Sequence, residues 1–415
     1  MPDKNEELNS RLKRLKEVTS YQETKPQASV PQGWSPGVEW KDGKGVITSS
    51  TLDKLPESTS DWEELFKERG LNLDVYEVAS ETVKWASYDS WKRDDPDEPA
   101  YSALGFTIRA DIRLKQPFAE SADYTALYKE AKKAKPPKPV EGDTTFFVGL
   151  SDWQIGNSDG GGVEAQVIAL AKLAPLLKQR LADLRKTGRE IDTIAIAGLG
   201  DLFENCEGFY AHQLFTVELS KREQETIIRQ ALFDLIKELA PLAEKVIVMA
   251  VGGNHGENRG SRNRYVTDKG DNADVAVFEQ VRDICAANPE AFGHIDWRLP
   301  KHELAISAEL SGQYVAITHG HIANFRTTAL NTLWTWWEKQ AMGRFYPGVA
   351  ESDILIAGHF HHYNVKEQLG RTVFIAPSLT DVSDYFGDKN GVMTSPGTLT
   401  LTIANSGWAD VQIVR

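Results

Sequence analysis

Residues 191–201, IDTIAIAGLGD, decide how this chain is read. A short run of β-branched and small apolar residues that ends in glycines is a buried strand, and this one stops on a carboxylate. The same design recurs on both sides. Thr144 to Leu150 runs into SDWQIG at 151–156, and Lys245 to Val251 into GGNHGEN at 252–258. Tyr314 to Thr318 runs into THGH at 318–321, and Asp353 to Ala357 into GHFHH at 358–362. Amphipathic helices such as Val163 to Lys186 and Val217 to Leu239 lie between the strands, which predicts a layered α/β domain around a sheet core. Further strands at Arg371 to Ile375, Thr398 to Ile403 and Asp410 to Val414 are expected to supply a second sheet. Ligands of an open α/β sheet bind at the carboxyl ends of its strands, so the five polar clusters should meet on one rim. Their glycines let the backbone turn sharply and come close to an ion.

The histidines point the same way. All nine follow residue 200, and His255, His319, His321, His359, His361 and His362 fall within three of the clusters. One such residue alone reads as a packed core or surface imidazole. Six together with Asp and Asn at strand ends form a mixed oxygen and nitrogen donor set, which suits Mn²⁺, Fe²⁺ or Zn²⁺ better than the all-oxygen cages of Ca²⁺.

The order D-x-(H), GD, GNH, HGH, GHxH resembles the calcineurin-like metallophosphoesterases over about residues 144–415. The GDLFE wording of the second motif is most similar to SbcD-type DNA nucleases and to bacteriophage-encoded phosphoesterases. The resemblance implies a four-layer α-β-β-α sandwich and two divalent ions, which for this chain are expected to be Mn²⁺, with Fe²⁺ or Zn²⁺ as alternatives. By motif, Asp201 would bridge the ions, Asp152 and His361 would hold the first, and Asn254, His319 and His359 the second. His255 would stabilise the transition state or protonate the leaving oxygen. Such ions, roughly 3.5 to 4 Å apart, acidify a shared water for in-line attack. Gln154 stands where the family has His, and a neutral amide oxygen favours harder ions, hence the expectation of Mn²⁺.

Other features carry two readings each. Arg259, Arg262 and Arg264 are either a clamp for substrate phosphates or a solvated charge run. Trp334, Trp336 and Trp337 either stack on bases or, as large aromatics at helical spacing, form core. Glu204 and Glu207 either support ligand histidines or complement a helix dipole. His321 and His362 read as neighbours of ligands, and Asp271, Asn272 and Asp274 as helix-capping residues.

The 60 acidic and 47 basic side chains give a net charge of −13, which excludes a nucleic-acid coat protein and makes any DNA contact local. Two cysteines, Cys206 and Cys285, in no zinc spacing fit a reducing, cytoplasmic setting. No stretch reads as apolar enough to cross a bilayer. Residues 1–140 are expected to be an α+β accessory module with a tether over about 1–38, and 141–415 the catalytic domain. The module's helix is expected at Asp61 to Arg69, and the Pro-rich AKKAKPPKPV at 131–140 marks the boundary. SbcD-type nucleases carry a capping domain and work with an ATPase. About fifty residues follow His362, so no capping domain is expected and no ATPase partner is assumed; a homo-oligomer is left open. The functional expectation is a phosphodiesterase on nucleic acid, a DNA exonuclease or endonuclease working by metal-activated hydroxide attack, with hydrolysis of a small or cyclic nucleotide, or a non-catalytic scaffold with a decayed site, as alternatives.

Overall fold

The computed structural model of the protein describes residues 36–41, 44–52, 55–56, 59–69, 76–78, 82–92, 101–114, 123–206, 217–260, 264–265, 267–323, 328–380 and 395–415. The charged segment 1–15, Glu207 and Arg262 lie outside them. The chain divides into two compact units, Met1–Lys115 and Gln116–Arg415.

In the first unit, strands Gly37–Lys41 (β1), Lys44–Leu52 (β2), Tyr76–Val78 (β3), Lys84–Lys92 (β4) and Tyr101–Leu114 (β5) form an antiparallel sheet around β5. Ile108, Ala110 and Ile112 are buried at every second position of β5, as a strand with one packed face requires. Helix Thr59–Glu68 (α1) buries Leu65 and Phe66. The helix begins two residues before the expected Asp61, so Ser60 lies inside its first turn.

The division falls before the Pro-rich stretch, because helix Tyr124–Lys133 (α2) belongs to the second unit. Glu130 of α2 pairs with Lys237 at 2.8 Å, and the Asn288 amide donates to the Ala131 carbonyl at 3.0 Å.

The second unit runs through Thr144–Leu150 (β6), Gly162–Lys186 (α3), Ile191–Gly198 (β7), Lys221–Leu239 (α4) and Lys245–Ala250 (β8). After a short hairpin, Arg259–Gly260 (β9) and Arg264–Tyr265 (β10), come Ala273–Cys285 (α5), Pro289–Phe292 (α6) and Ile295–Arg298 (β11). Then follow Ala305–Leu310 (β12), Gln313–Thr318 (β13), Ala329–Gly343 (α7), Pro347–Ala350 (α8) and Ile354–Ala357 (β14). Asn364–Gln368 (β15), Arg371–Ile375 (β16), Thr398–Ala404 (β17) and Gly407–Val414 (β18) complete it.

The strands make two sheets, ordered β11-β8-β7-β6-β17-β18 and β12-β13-β14-β16-β15. Each has a parallel centre, β11 to β6 in one and β13, β14 and β16 in the other, with antiparallel strands beyond. Two expectations change here. The five strands that carry the polar clusters are shared between both sheets. The C-terminal hairpin β17–β18 extends the first sheet by pairing with β6, while β12 and β15 help build the second.

The sheets pack face to face through one core. Phe147, Ala195, Ile247, Met249, Leu399 and Leu401 meet Leu310, Val315, Ile317, Ile354, Ile356 and Phe374. Burying each large side chain contributes about 1.5–3 kcal/mol. The alternate residues of the second sheet, Ala316, Leu355, Val373 and Ile375, pack on Leu333, Trp334 and Trp337 of α7. With α3, α4 and α5 accompanying the first sheet, the domain is the expected four-layer sandwich. Trp334 and Trp337 meet edge to face at 5.7 Å and are buried, and Trp336 packs against the same cluster, which settles the tryptophans as core.

Helix α4 starts at Lys221, four residues later than its apolar pattern suggests, because Ser220 and Glu223 form a reciprocal capping box. Such a cap contributes about 1 kcal/mol. By length and composition the helix over Asp159–Lys186 passes for a membrane span, contrary to the sequence reading. Its Val163, Val167, Leu170, Leu173, Leu177, Leu181 and Leu184 form the buried stripe of a core helix.

Candidate metal centre

Strand ends in both sheets turn through an uncommon conformation. Asp152, Gln154, Asp201, His359 and His361 all have positive φ, between 41° and 73°. Each such residue costs on the order of 1–3 kcal/mol and persists only where its surroundings over-determine it. Here they do. Asp152 N donates to the Gly200 carbonyl at 3.1 Å, Gln154 N to that of Asp201 at 3.0 Å, and His359 N to the Asp152 carboxylate at 2.9 Å. Glycines allow the loops this close: a Cβ on Gly200 (φ +89°) would meet Gly253 N at 2.7 Å and His319 Nδ1 at 2.8 Å, and one on Gly253 would collide with the Asp201 carboxylate.

The side chains then converge. His319 Nε2 lies 2.9 Å from Asp201 Oδ2 and 3.0 Å from Asn254 Oδ1. Potential ligand atoms of Asp201, His319 and His359 are all within 4.8 Å of one another. His319 Nδ1 is 2.8 Å from the Leu199 carbonyl and donates to it, which aims Nε2 into the site. Across the rim, His361 Nε2 is 3.2 Å from Asp152 Oδ1, and Ser151 Oγ bonds the other oxygen of that carboxylate. All the expected ligands therefore gather at one place, Gln154 included, whose amide lies 3.3 Å from His255 Nε2.

Charge reinforces the geometry. Burial opposes ionisation of Asp201, but His319 and His255 outweigh it and hold its carboxyl far below the usual range. Burial likewise opposes a proton on His319, yet Asp201 and its hydrogen bond keep that pKa well above an ordinary histidine's. Burial and the neighbouring His319 push His359 down to about 3, so it stays a neutral donor. A divalent ion would displace the His319 proton and take over its charge. Carboxylate, amide and neutral imidazoles are the donor set a borderline divalent ion requires, so these residues fit one.

His255 sits beside this set. Its Nδ1 is 3.0 Å from the Glu204 carbonyl and 3.4 Å from Glu204 Oε2, and its Nε2 is 4.0 Å from Asp201 Oδ2. Burial lowers its basicity, but Asp201 and Glu204 outweigh that and raise its pKa. Glu204 therefore takes the supporting role, while Glu207 lies outside the described residues.

The arginines divide. Arg259 is half-buried and ion-paired to the buried Glu257, whose Oε1 lies 3.3 Å from His321 Nε2. Arg264 is in β10 with its side chain outside the description, as is all of Arg262. The His321 ring lies 5.3 Å from that of His319, tilted by 47°, whereas His362 Nδ1 bonds the carbonyl of Phe360 in its own turn.

Sequence reading missed the supports beneath the loops. Asp274, on the first turn of α5, accepts from the amides of Asp201 at 2.9 Å, Leu202 at 3.0 Å and Gly253 at 2.9 Å. Burial and then the Asp201 charge push its pKa up to about 6, against those amides. Asn272 caps the helix and ties Gly253 O at 2.8 Å. Gln166 holds Gly156 N and Gln154 O, and Gln224 holds Asn205 N. Asn272 was legible as the helix cap it is, whereas Gln166 and Gln224 showed only as polar side chains among the buried residues of a helix.

No family model matches the chain, and no curated protein does. Among solved structures, Vps29 complexed with Zn²⁺ from Entamoeba histolytica is similar at 15% identity, over 63% of this chain and 88% of that one, with a TM-score of 0.31. An archaeal phosphodiesterase is similar at 15% identity over 64% and 99%, TM-score 0.28. A predicted phosphoesterase from Streptococcus pneumoniae is similar at 10% identity over 66% and 96%, TM-score 0.26. Likeness at this level fixes no activity.

Proposed function

We propose that this chain is a calcineurin-like metallophosphoesterase that hydrolyses phosphodiester bonds, with nucleic acid, DNA foremost, as its substrate class. One observation carries the reading: Asp152, Asp201, Asn254, His319, His359 and His361 reach one rim from five strand ends, with Asp201, His319 and His359 already in mutual reach. Bound divalent ions would supply an acidified water and neutralise phosphoryl oxygens. The chain's own residues do the remainder. Asp201, beside His319, would be the carboxylate that both ions share, as the motif resemblance implies, and Asp274 fixes the loop that bears it. His255, anchored through Nδ1 and with its pKa raised, would act through Nε2 as the general acid toward a leaving oxygen. The GDLFE wording supports DNA, and a separate N-terminal sheet is available to position a polymer.

The test is a Mn²⁺-supplemented assay of bis-nitrophenyl phosphate, single-stranded and duplex DNA, and cyclic nucleotides, with Asp201→Ala and His255→Ala as controls. Turnover of the model diester and of DNA, lost in Asp201→Ala, is expected. Turnover of cyclic nucleotides alone would shift the substrate to a small nucleotide. No turnover of anything would leave a binding protein.

A further inference from the structure

The two halves of the centre differ in how they are built. Around Asp201, two imidazoles and the Asn254 amide face one carboxylate, and His319 is wholly buried with its Nδ1 tied to a carbonyl. Among the described residues, this is the one group whose three His or Asp atoms already lie within 4.8 Å of one another. An ion arriving there finds donors that need little ordering.

The half around Asp152 is different. It has one imidazole, His361, whose side chain keeps 18% of its exposure, against none for His319. Gln154 offers only an amide, whose nitrogen lies 3.3 Å from His255 Nε2, so its one possible donor is a neutral oxygen. The remaining polar groups beside it, Asn157, Asp159, Gln166, Ser378 and Thr380, bring oxygen donors and no imidazole to a cavity of about 20 Å³, room for about one small ion or water. Oxygen-rich sets favour hard ions, and imidazole-rich sets favour zinc and its neighbours.

We infer that the centre is an unequal pair: the half made by Asp201, Asn254, His319 and His359 loads first and accepts Zn²⁺ or Mn²⁺, whereas the half made by Asp152, Gln154 and His361 binds more weakly and selects Mn²⁺ or Mg²⁺. This rests on the phosphoesterase reading above. Its consequence is an activity that follows the free concentration of a hard divalent ion even when the first half is filled.

The experiment is calorimetric titration of the metal-stripped full chain with Zn²⁺, Mn²⁺ and Mg²⁺, together with anomalous scattering at the zinc and manganese edges from crystals soaked in both. Two Mn²⁺ classes separated by at least about tenfold are expected, the span that changes around metal ligands commonly produce. Zinc should scatter beside His319 and manganese beside His361. Gln154→His should strengthen only the weaker class, and His319→Ala should remove only the tighter one. Gln154→Ala guards against a ring too large for the cavity; it should weaken the weaker class and leave the tighter intact. Two equal sites in the native chain, or a weaker class indifferent to both Gln154 variants, would overturn the inequality. Equal sites with diester hydrolysis would leave the phosphoesterase standing, whereas no ion bound at all would remove that reading as well.

Discussion

The first sheet supplies the centre with oxygen and the second with nitrogen. Strands β6, β7 and β8 end in Asp152, Asp201 and Asn254, whereas β13 and β14 end in His319, His359 and His361. Neither sheet holds a complete donor set. The distance between the two sets is fixed by the core that separates the sheets, so packing residues such as Met249, Ile317 and Phe374 hold the register of a site they do not touch. Precision at the rim thus depends on apolar volume beneath it.

The sharpest way to break this pairing is to remove its shared carboxylate. Asp201→Ala is expected to reduce hydrolysis to background while circular dichroism stays native. His255→Ala should lower kcat by about 10²–10⁴-fold, the usual contribution of an acid catalyst, with metal stoichiometry in calorimetry unchanged. Phe374→Ala attacks the spacing from below. It leaves a cavity against Trp408, whose ring lies 5.0 Å away, and should cost about 3–5 kcal/mol in urea unfolding. Asp274→Asn keeps the shape of the three-amide clamp but turns an NH₂ toward an N–H. Metal affinity should fall by about 10–100-fold, the effect typical of residues that orient ligands, with the unfolding midpoint shifting little by comparison. At the other end of the scale, Glu238→Gln removes a half-exposed pair with Lys178 at 2.6 Å between two helices of the first sheet. Unfolding free energy should move by no more than about 0.5–1 kcal/mol, and hydrolysis not at all.

What was legible in the sequence was whatever is local. Strands such as Thr144–Leu150 and Arg371–Ile375 appear with the bounds their β-branched runs suggest, because both faces of a sandwich strand are buried and the apolar run is unbroken. The convergence of the expected ligand residues was legible because each lies within four residues of the end of such a strand. Sheet membership was not, since a run buried on both sides looks alike in either sheet; that is why β13 and β14 were read into one sheet with β6. Strands β12 and β15 went unseen because their burial is mixed, and Ala-Ile-Ser-Ala-Glu-Leu carries little β signal. Asp274 was misread because its place near a helix start has a sufficient local explanation. Its carboxylate serves loops 73 and 21 residues away in sequence, which no local pattern records.

The pairing of β17 with β6 sets Leu399 opposite Gly149, so the strand that leads to Asp152 is completed by residues made some 250 positions later. During synthesis β6 must wait with one β-rich edge open, and such an edge is a template for pairing with another chain. Folding of the domain is therefore bound to its final hairpin, and a shortened chain that stops before Thr398 would present that edge to its neighbours.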